Sequence, residues 1–300
     1  MSDRRPAFSP APMRRPVGMT LIELMIAMAL GLVVVGGILS IFVATSETGR
    51  KTDELARIQE NARIALELMS RSLREADGNA CGIGPGSISF VGLDENDWWT
   101  GGDQFQNALR GYTASDSFPA NAAVTMTEGS DAFIAVSATG GATAVTANSP
   151  LTVQSAKGLG QNAAPILFAC NNGSGEGFIF KPSADITANE IAATLPKNVD
   201  TVAKVHAEAW FVGANPRGGT SLYRSESGNA PEEIAPDVLD MSLGYRLPEA
   251  NDYVNASAVG SRWAEVVAVR IELTLGRSGE NNIERSIAHV VTLRNRSAQP

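Results

Sequence analysis

Histidine and cysteine are nearly missing from this 300-residue chain, with two of each. Cys81 and Cys170 stand far apart, with no CxxC pair and no cysteine–histidine cluster. A transition-metal centre needs several such ligands at short spacing, so no metal site and no cofactor are expected. HExxH, GxSxG and P-loop patterns are also lacking, which removes the usual nucleophile and phosphate-binding constellations and argues against an enzyme. Positive charge is short as well: 24 Lys+Arg against 32 Asp+Glu leave a net charge of −8. Direct nucleic-acid binding, which needs a cationic face to neutralise phosphates, is disfavoured. No internal repeat stands out.

What chemistry-bearing residues remain read more simply as structure. His289 shares a strand face with Ile287, Val291 and Leu293 and reads as a core histidine. His206 alternates with Lys204 and Glu208 and reads as part of a solvated strand face. GLGQNA from Gly158 imitates a dinucleotide loop, but no strand precedes it and no amphipathic helix follows. DENDWWTGGDQ, from Asp94 to Gln104, mixes carboxylates with Trp98 and Trp99. It could bind calcium or sugar, yet Trp99 stands where an EF-hand loop carries glycine. Anchoring a loop or meeting a partner is the simpler role for these aromatics. Sequons at Asn172, Asn255 and Asn295 matter only in a eukaryotic secretory path.

Against these absences, one feature is strong. Met19 to Ala44 reads MTLIELMIAMALGLVVVGGILSIFVA, and about 20 such residues in a helix span a bilayer core. Arg4, Arg5, Arg14 and Arg15 precede the run, whereas Asp3 is the only acid before Glu23. The positive-inside rule therefore leaves the N-terminus cytoplasmic and the rest of the chain across the membrane. A cleaved secretory signal has an apolar region of about 7 to 15 residues, so this run is too long for one. Glu23 inside the apolar run costs roughly 2.5 to 3.5 kcal/mol on insertion scales and calls for compensation. The cysteine pair suits either two buried thiols or one disulfide; an oxidising compartment favours a bridge between Cys81 and Cys170.

No proline interrupts Met19 to Ala76, so one continuous helix of roughly 85 Å is expected. Its second half is amphipathic: Leu55, Ile58, Ala62, Leu66, Met69, Leu73 and Ala76 recur at steps of three and four. Ile64 falls on the far side of the wheel. After Asp77 and Gly78 short β-type runs take over, at Ser87 to Val91, Ala132 to Ser137, Pro165 to Ala169, Gly177 to Phe180, Val202 to Val212, Ser221 to Arg224, Trp263 to Leu275 and Ile283 to Leu293. The last two form the clearest hairpin, turning through GRSGENN. Ala138 to Gly160 is poor in large apolar residues and reads as loop or weak edge structure. The expected architecture is α+β, a long helix covering an antiparallel sheet in two layers.

Gly18 followed by MTLIEL resembles the prepilin peptidase site of type IV pilins and type II secretion pseudopilins. The resemblance implies that a membrane peptidase cuts after Gly18, that the new N-terminal Met19 is methylated, and that Glu23 sets subunit register. Most members have phenylalanine where Met19 stands here. Once Gly18 is removed, the Met19 amine can pair with a neighbour's Glu23, and only one stagger leaves neither charge alone in low dielectric. ALELMSRSLREADGNACG, LFAC, SLYRSE, IAPDVLDMSLGYRL and VVTLRNR further resemble PilW-type minor pilins, with the minor pseudopilin J of type II secretion close behind. The implied organisation is a cytoplasmic leader at 1–18, a long helix at 19–76 with 19–44 in the membrane, and a periplasmic β-rich domain at 77–300. The implied partners are prepilin peptidase, the inner membrane and its assembly platform, other minor pilins and the major pilin. A tip adhesin using the 94–104 loop is a further alternative. The implied location is the bacterial inner membrane, then the pilus at the cell surface.

Overall fold

The computed structural model describes residues 18–83, 87–93, 108–119, 124–160, 164–276 and 284–294. Helix α1 runs from Leu21 to Glu75, slightly inside the expected Met19 to Ala76. Asp77 stops it by adopting a left-handed φ of 65°, a conformation aspartate tolerates better than most residues. The chain divides between Glu54 and Leu55 into two compact units.

In the unit from Leu55 onward, the apolar stripe of α1 meets its expectation. Ile58, Ala62, Ala65, Leu66, Met69 and Leu73 are buried, while Ile64 is 42% exposed. Each large side chain so buried contributes roughly 1.5–3 kcal/mol relative to exposure. They share a core with Phe133, Trp210, Leu222, Leu243, Tyr245, Val269, Ile271 and Val291. The Trp210 Nε1–H donates to Ser72 Oγ at 3.2 Å, which satisfies the one polar atom of the largest core side chain.

Two sheets supply that core. The first is ten-stranded and consists of β1 (Ile88–Val91), β2 (Leu109–Tyr112), β3 (Ala132–Asn148), β4 (Leu151–Val153), β5 (Leu167–Asn171), β6 (Glu176–Phe180), β7 (Glu190–Ile191), β8 (Thr201–Ala214), β9 (Thr220–Glu226) and β10 (Glu232–Pro236). Its main path runs β1-β6-β5-β8-β3-β4-β7, with β2 on β3 and the β9–β10 pair on β8. Pairings are antiparallel except for β1 with β6. The second sheet contains β11 (Val238–Arg246), β12 (Ala268–Gly276) and β13 (Glu284–Thr292) in sequence order. A four-residue helix, α2 (Ala256–Val259), is capped by Asn255. The fold is thus α+β as expected, with two sheets where one was anticipated.

Ser130 and Asp131 join the sheets. The Asp131 N–H donates to Met241 O at 2.8 Å, the Met241 N–H to Ser130 Oγ at 2.9 Å, and the Leu243 N–H to Asp131 Oδ2 at 2.8 Å. The far face of the large sheet has its own core of Ile134, Val136, Phe168, Ile179, Val205 and Phe211. Burial on both faces explains the unbroken apolar run AFIAV in β3, a pattern typical of strands covered on two sides.

Three expectations need correction. Ala138 to Gly160 is not a loop but extends the sheet toward its edge: β3 continues to Asn148 and returns as β4, which pairs with β7 at the end of the main path. Backbone pairing of Thr143 and Ala144 with Val202 and Thr201 defines this extension, so its small side chains gave no apolar signal. The GLG run there has a packing reason, since a Cβ on Gly158 would lie 2.7 Å from the Gly141 Cα. Trp263 to Val267 is not strand; residues 263–265 form a 3-10 turn whose Trp263 ring meets Tyr245 edge-on at 4.9 Å. His289 is exposed, because the core leaves much of β13 uncovered although His289 pairs with buried Ile271.

Candidate functional site

Gly18, Met19 and Thr20 precede α1 in non-helical backbone and are exposed. Thr20 acts as the helix N-cap. Its carbonyl accepts the first helical bond, from the Leu24 N–H at 3.3 Å, and its hydroxyl oxygen accepts from the Glu23 N–H at 3.4 Å. Glu23 Oε2 in turn accepts from the Thr20 N–H at 3.1 Å and from its hydroxyl at 3.0 Å. This reciprocal pattern is a capping box, in which a threonine and the glutamate three residues on satisfy each other's backbone donors. The reading of Glu23 as a register residue overlooked Thr20, though the S/T-x-x-E signal stands openly in TLIE.

A Cβ added at Gly18 would meet nothing within 4 Å. Packing among the described residues therefore places no demand for glycine there. Beyond the cap, Leu21, Ile22, Leu30, Leu32, Val33, Ile41 and Phe42 are all more than half exposed. The helix is long and apolar enough to cross a membrane, and none of its most apolar window is buried. Its hydroxyls are turned inward: Ser40 donates to Gly37 O and Thr45 to Ile41 O, both at 2.8 Å. Such back-bonding hides polar atoms where water is absent.

Cys81 and Cys170 form a disulfide with a Cα–Cα distance of 6.5 Å. Cys81 follows the end of α1, and Asn79 organises its segment: Asn79 Oδ1 accepts from the Cys81 and Ile83 N–H groups, and its Nδ2 donates to Ile83 O at 2.7 Å. Cys170 lies fully buried on β5. The other interaction candidates, Asp94, Trp98 and Trp99, lie outside the described residues.

A cleft of about 410 Å³ opens beside the last turns of α1, lined in part by Arg71, Glu75, His206, Glu208, Arg224 and Glu226. His206 does not simply face solvent, as its alternation implied. Its Nδ1 meets Glu226 Oε1 at 2.9 Å, and its ring leaves no room for a Cβ at Gly140. Burial pushes the Glu226 carboxyl up, but the His206 hydrogen bond and the nearby Lys204 and Arg224 outweigh it and leave a net lowering. Arg224 bridges Glu208 at 3.5 Å and Glu232 at 3.0 Å and lies over the Trp210 ring. Arg71 also pairs with Glu75 at 3.0 Å, so most of these polar groups are committed to one another. Among the described residues no cluster of histidine, cysteine and carboxylate side chains suits a metal ion.

Residues 14–39 match the prokaryotic N-terminal methylation motif. No curated protein and no solved structure matches the chain. The match falls on the capped helix start and supports a type IV pilin or pseudopilin, membrane-anchored by its apolar helix and a substrate of prepilin peptidase.

Proposed function

We propose that the chain is a minor pilin of the PilW type, which primes assembly of a type IV pilus. One observation carries the prepilin part of this reading: the methylation motif lies on an exposed, non-helical Gly18–Met19 bond leading into an apolar helix that bears a single carboxylate in its first turn; the PilW part rests on the resemblance of SLYRSE, IAPDVLDMSLGYRL and VVTLRNR alone. Prepilin peptidase cuts after Gly18, and Met19 becomes the methylated N-terminus. The helix spans the inner membrane once, with residues before it cytoplasmic and the β-rich domain periplasmic. In the filament, Glu23 pairs with the Met19 amine of a neighbour, which fixes the stagger because an unpaired charge in low dielectric is costly. Starting a filament is hard, since the first subunits leave the membrane before neighbours cover their helices. A small preassembled complex lowers that barrier by presenting a template.

Deleting the gene with and without the pilus retraction motor tests the role, with filaments counted by electron microscopy. The single mutant is expected to be nearly bald and the double mutant to recover some filaments. Undiminished filaments in the single mutant would sink the priming role. The methylation motif supports a type II secretion pseudopilin equally, and neighbouring genes for pilins or for secretion components separate the two.

A further inference from the structure

We infer that Thr20 is a positioning residue for cleavage: its cap starts the helix at Leu21 and keeps the Gly18–Met19 peptide out of it. The inference rests on the processing reading above. Hydrolysis adds water across that bond, the Gly18 carbonyl carbon taking the hydroxyl and the Met19 nitrogen the proton. A peptidase must reach the carbonyl, and a carbonyl inside a helix is already occupied by the N–H four residues on. If the helix extended upstream by one turn, Gly18 O would accept from the Ile22 N–H and the scissile bond would be wound into the first turn.

Two observations oppose that extension. Gly18, Met19 and Thr20 are non-helical, with the helix beginning at Leu21, and Thr20 and Glu23 exchange hydrogen bonds through both side chains. Where this helix start enters the bilayer, the cap matters more than in water. The first N–H groups of a helix have no intrahelical partner, and within lipid no water replaces one. Without the Thr20 hydroxyl, the nearest substitutes are upstream carbonyls, and using them winds the helix through the cut site. Pairing of Glu23 with a neighbour belongs to the mature filament; the capping box belongs to the precursor, before the Met19 amine exists.

The two halves of the box are separable. Valine has the shape of threonine without the hydroxyl, and serine keeps the hydroxyl without the methyl. Full-length precursors carrying Thr20→Val, Thr20→Ser or neither are incubated in membranes with prepilin peptidase, and the cut is followed over time. Formation of the Cys81–Cys170 disulfide reports that each variant has folded. Carbon chemical shifts of Gly18 and Met19 in micelles report whether the helix has grown. Thr20→Val is expected to be cut about fivefold more slowly, the scale of one lost helix cap, with shifts at Gly18 and Met19 moving toward helical values. Thr20→Ser is expected to restore both rate and shifts. Cleavage of Thr20→Val at the wild-type rate would overturn the inference, as would slow cleavage with unchanged shifts or without rescue by serine. A wild-type precursor left uncut at Gly18 would instead overturn the processing reading, and the inference with it.

Discussion

Removing the disulfide by replacing Cys81 and Cys170 together with alanine should cost the β-rich unit several kcal/mol, mainly through the unfolded chain. The bridge closes a loop across a sequence separation of 89. In the chain-entropy model that closure is worth about 4.6 kcal/mol at 25 °C. The folded state loses less, because Asn79 holds the Cys81 segment by three hydrogen bonds of its own and alanine fills much of the Cys170 site. With a urea m-value of about 3 kcal/mol/M, the midpoint should fall by about 1.5 M, and the slope should steepen because the unbridged unfolded chain exposes more surface. The assay is tryptophan fluorescence of the full chain in detergent micelles across a urea series, with and without reductant. Reductant should move the wild type toward the double variant and leave the variant where it is. A midpoint shift under about 0.3 M would refute the reasoning, and so would two reactive thiols in unfolded, unreduced protein.

Gly111 on β2 faces Tyr245, and a Cβ there would lie 2.0 Å from Oη and 2.4 Å from Cζ. Gly111→Ala should therefore destabilise by about 3 kcal/mol, and adding Tyr245→Phe should recover about 1 kcal/mol in a double-mutant cycle; strict additivity would argue against the clash. Burial raises the Asp131 carboxyl above its ordinary 3.8, against the lowering effect of the Leu243 and Ala114 N–H groups and with help from Asp240 and Asp116. The folded state thus takes up the proton before the unfolded state does. Relative to Asp131→Asn, the wild type should gain stability as pH falls from 7 toward 3.8, as read by thermal melts at several pH values; a loss over that window would contradict the assignment. Glu23→Gln should leave cleavage intact, since an amide oxygen still caps Thr20, yet lower crosslinking to neighbouring subunits by about tenfold. Equal crosslinking would remove Glu23 from subunit register.

Helix α1 was legible because two independent signals agree there: an unbroken apolar run without proline, then apolar residues at steps of three and four. Strands with large alternating side chains, such as β8 and β12, were legible for the same reason. The misses share a cause. β4 and β7 are short, and the outer half of β3 is built from alanine, threonine and glycine, so backbone pairing defines them and the side chains carry little. β11 is the exception: it alternates, with Met241, Leu243 and Tyr245 buried, and its side-chain pattern is legible. His289 failed as a core residue because alternation reports which face a side chain takes, not whether anything covers that face. At the helix start, Gly18, Met19 and Glu23 are singled out by a family pattern, whereas Thr20 is visible only through local hydrogen-bond logic.

The distribution of exposed apolar surface limits where assembly energy can come from. From Met19 to Val43 large apolar side chains lie exposed along the helix, and beyond Val43 the described residues add only Ile64, at 42%, and Val290, at 50%. Ile64 belongs to α1 and Val290 to β13, whose outward neighbours Arg270 and Glu272 form an ion pair. Neither makes a patch of the several hundred square ångströms that marks an apolar interface. Contacts made by the described surface of the β-rich unit are therefore polar, weak singly and sensitive to salt. Exposed leucine and valine on the helix require lipid or other helices at all times, but they cannot tell one apolar neighbour from another. On the proposed reading, holding subunits together and choosing between them fall to different parts of the chain: the helix supplies cohesion with Glu23 as its register mark, and the described charged surface from Leu55 onward supplies selectivity.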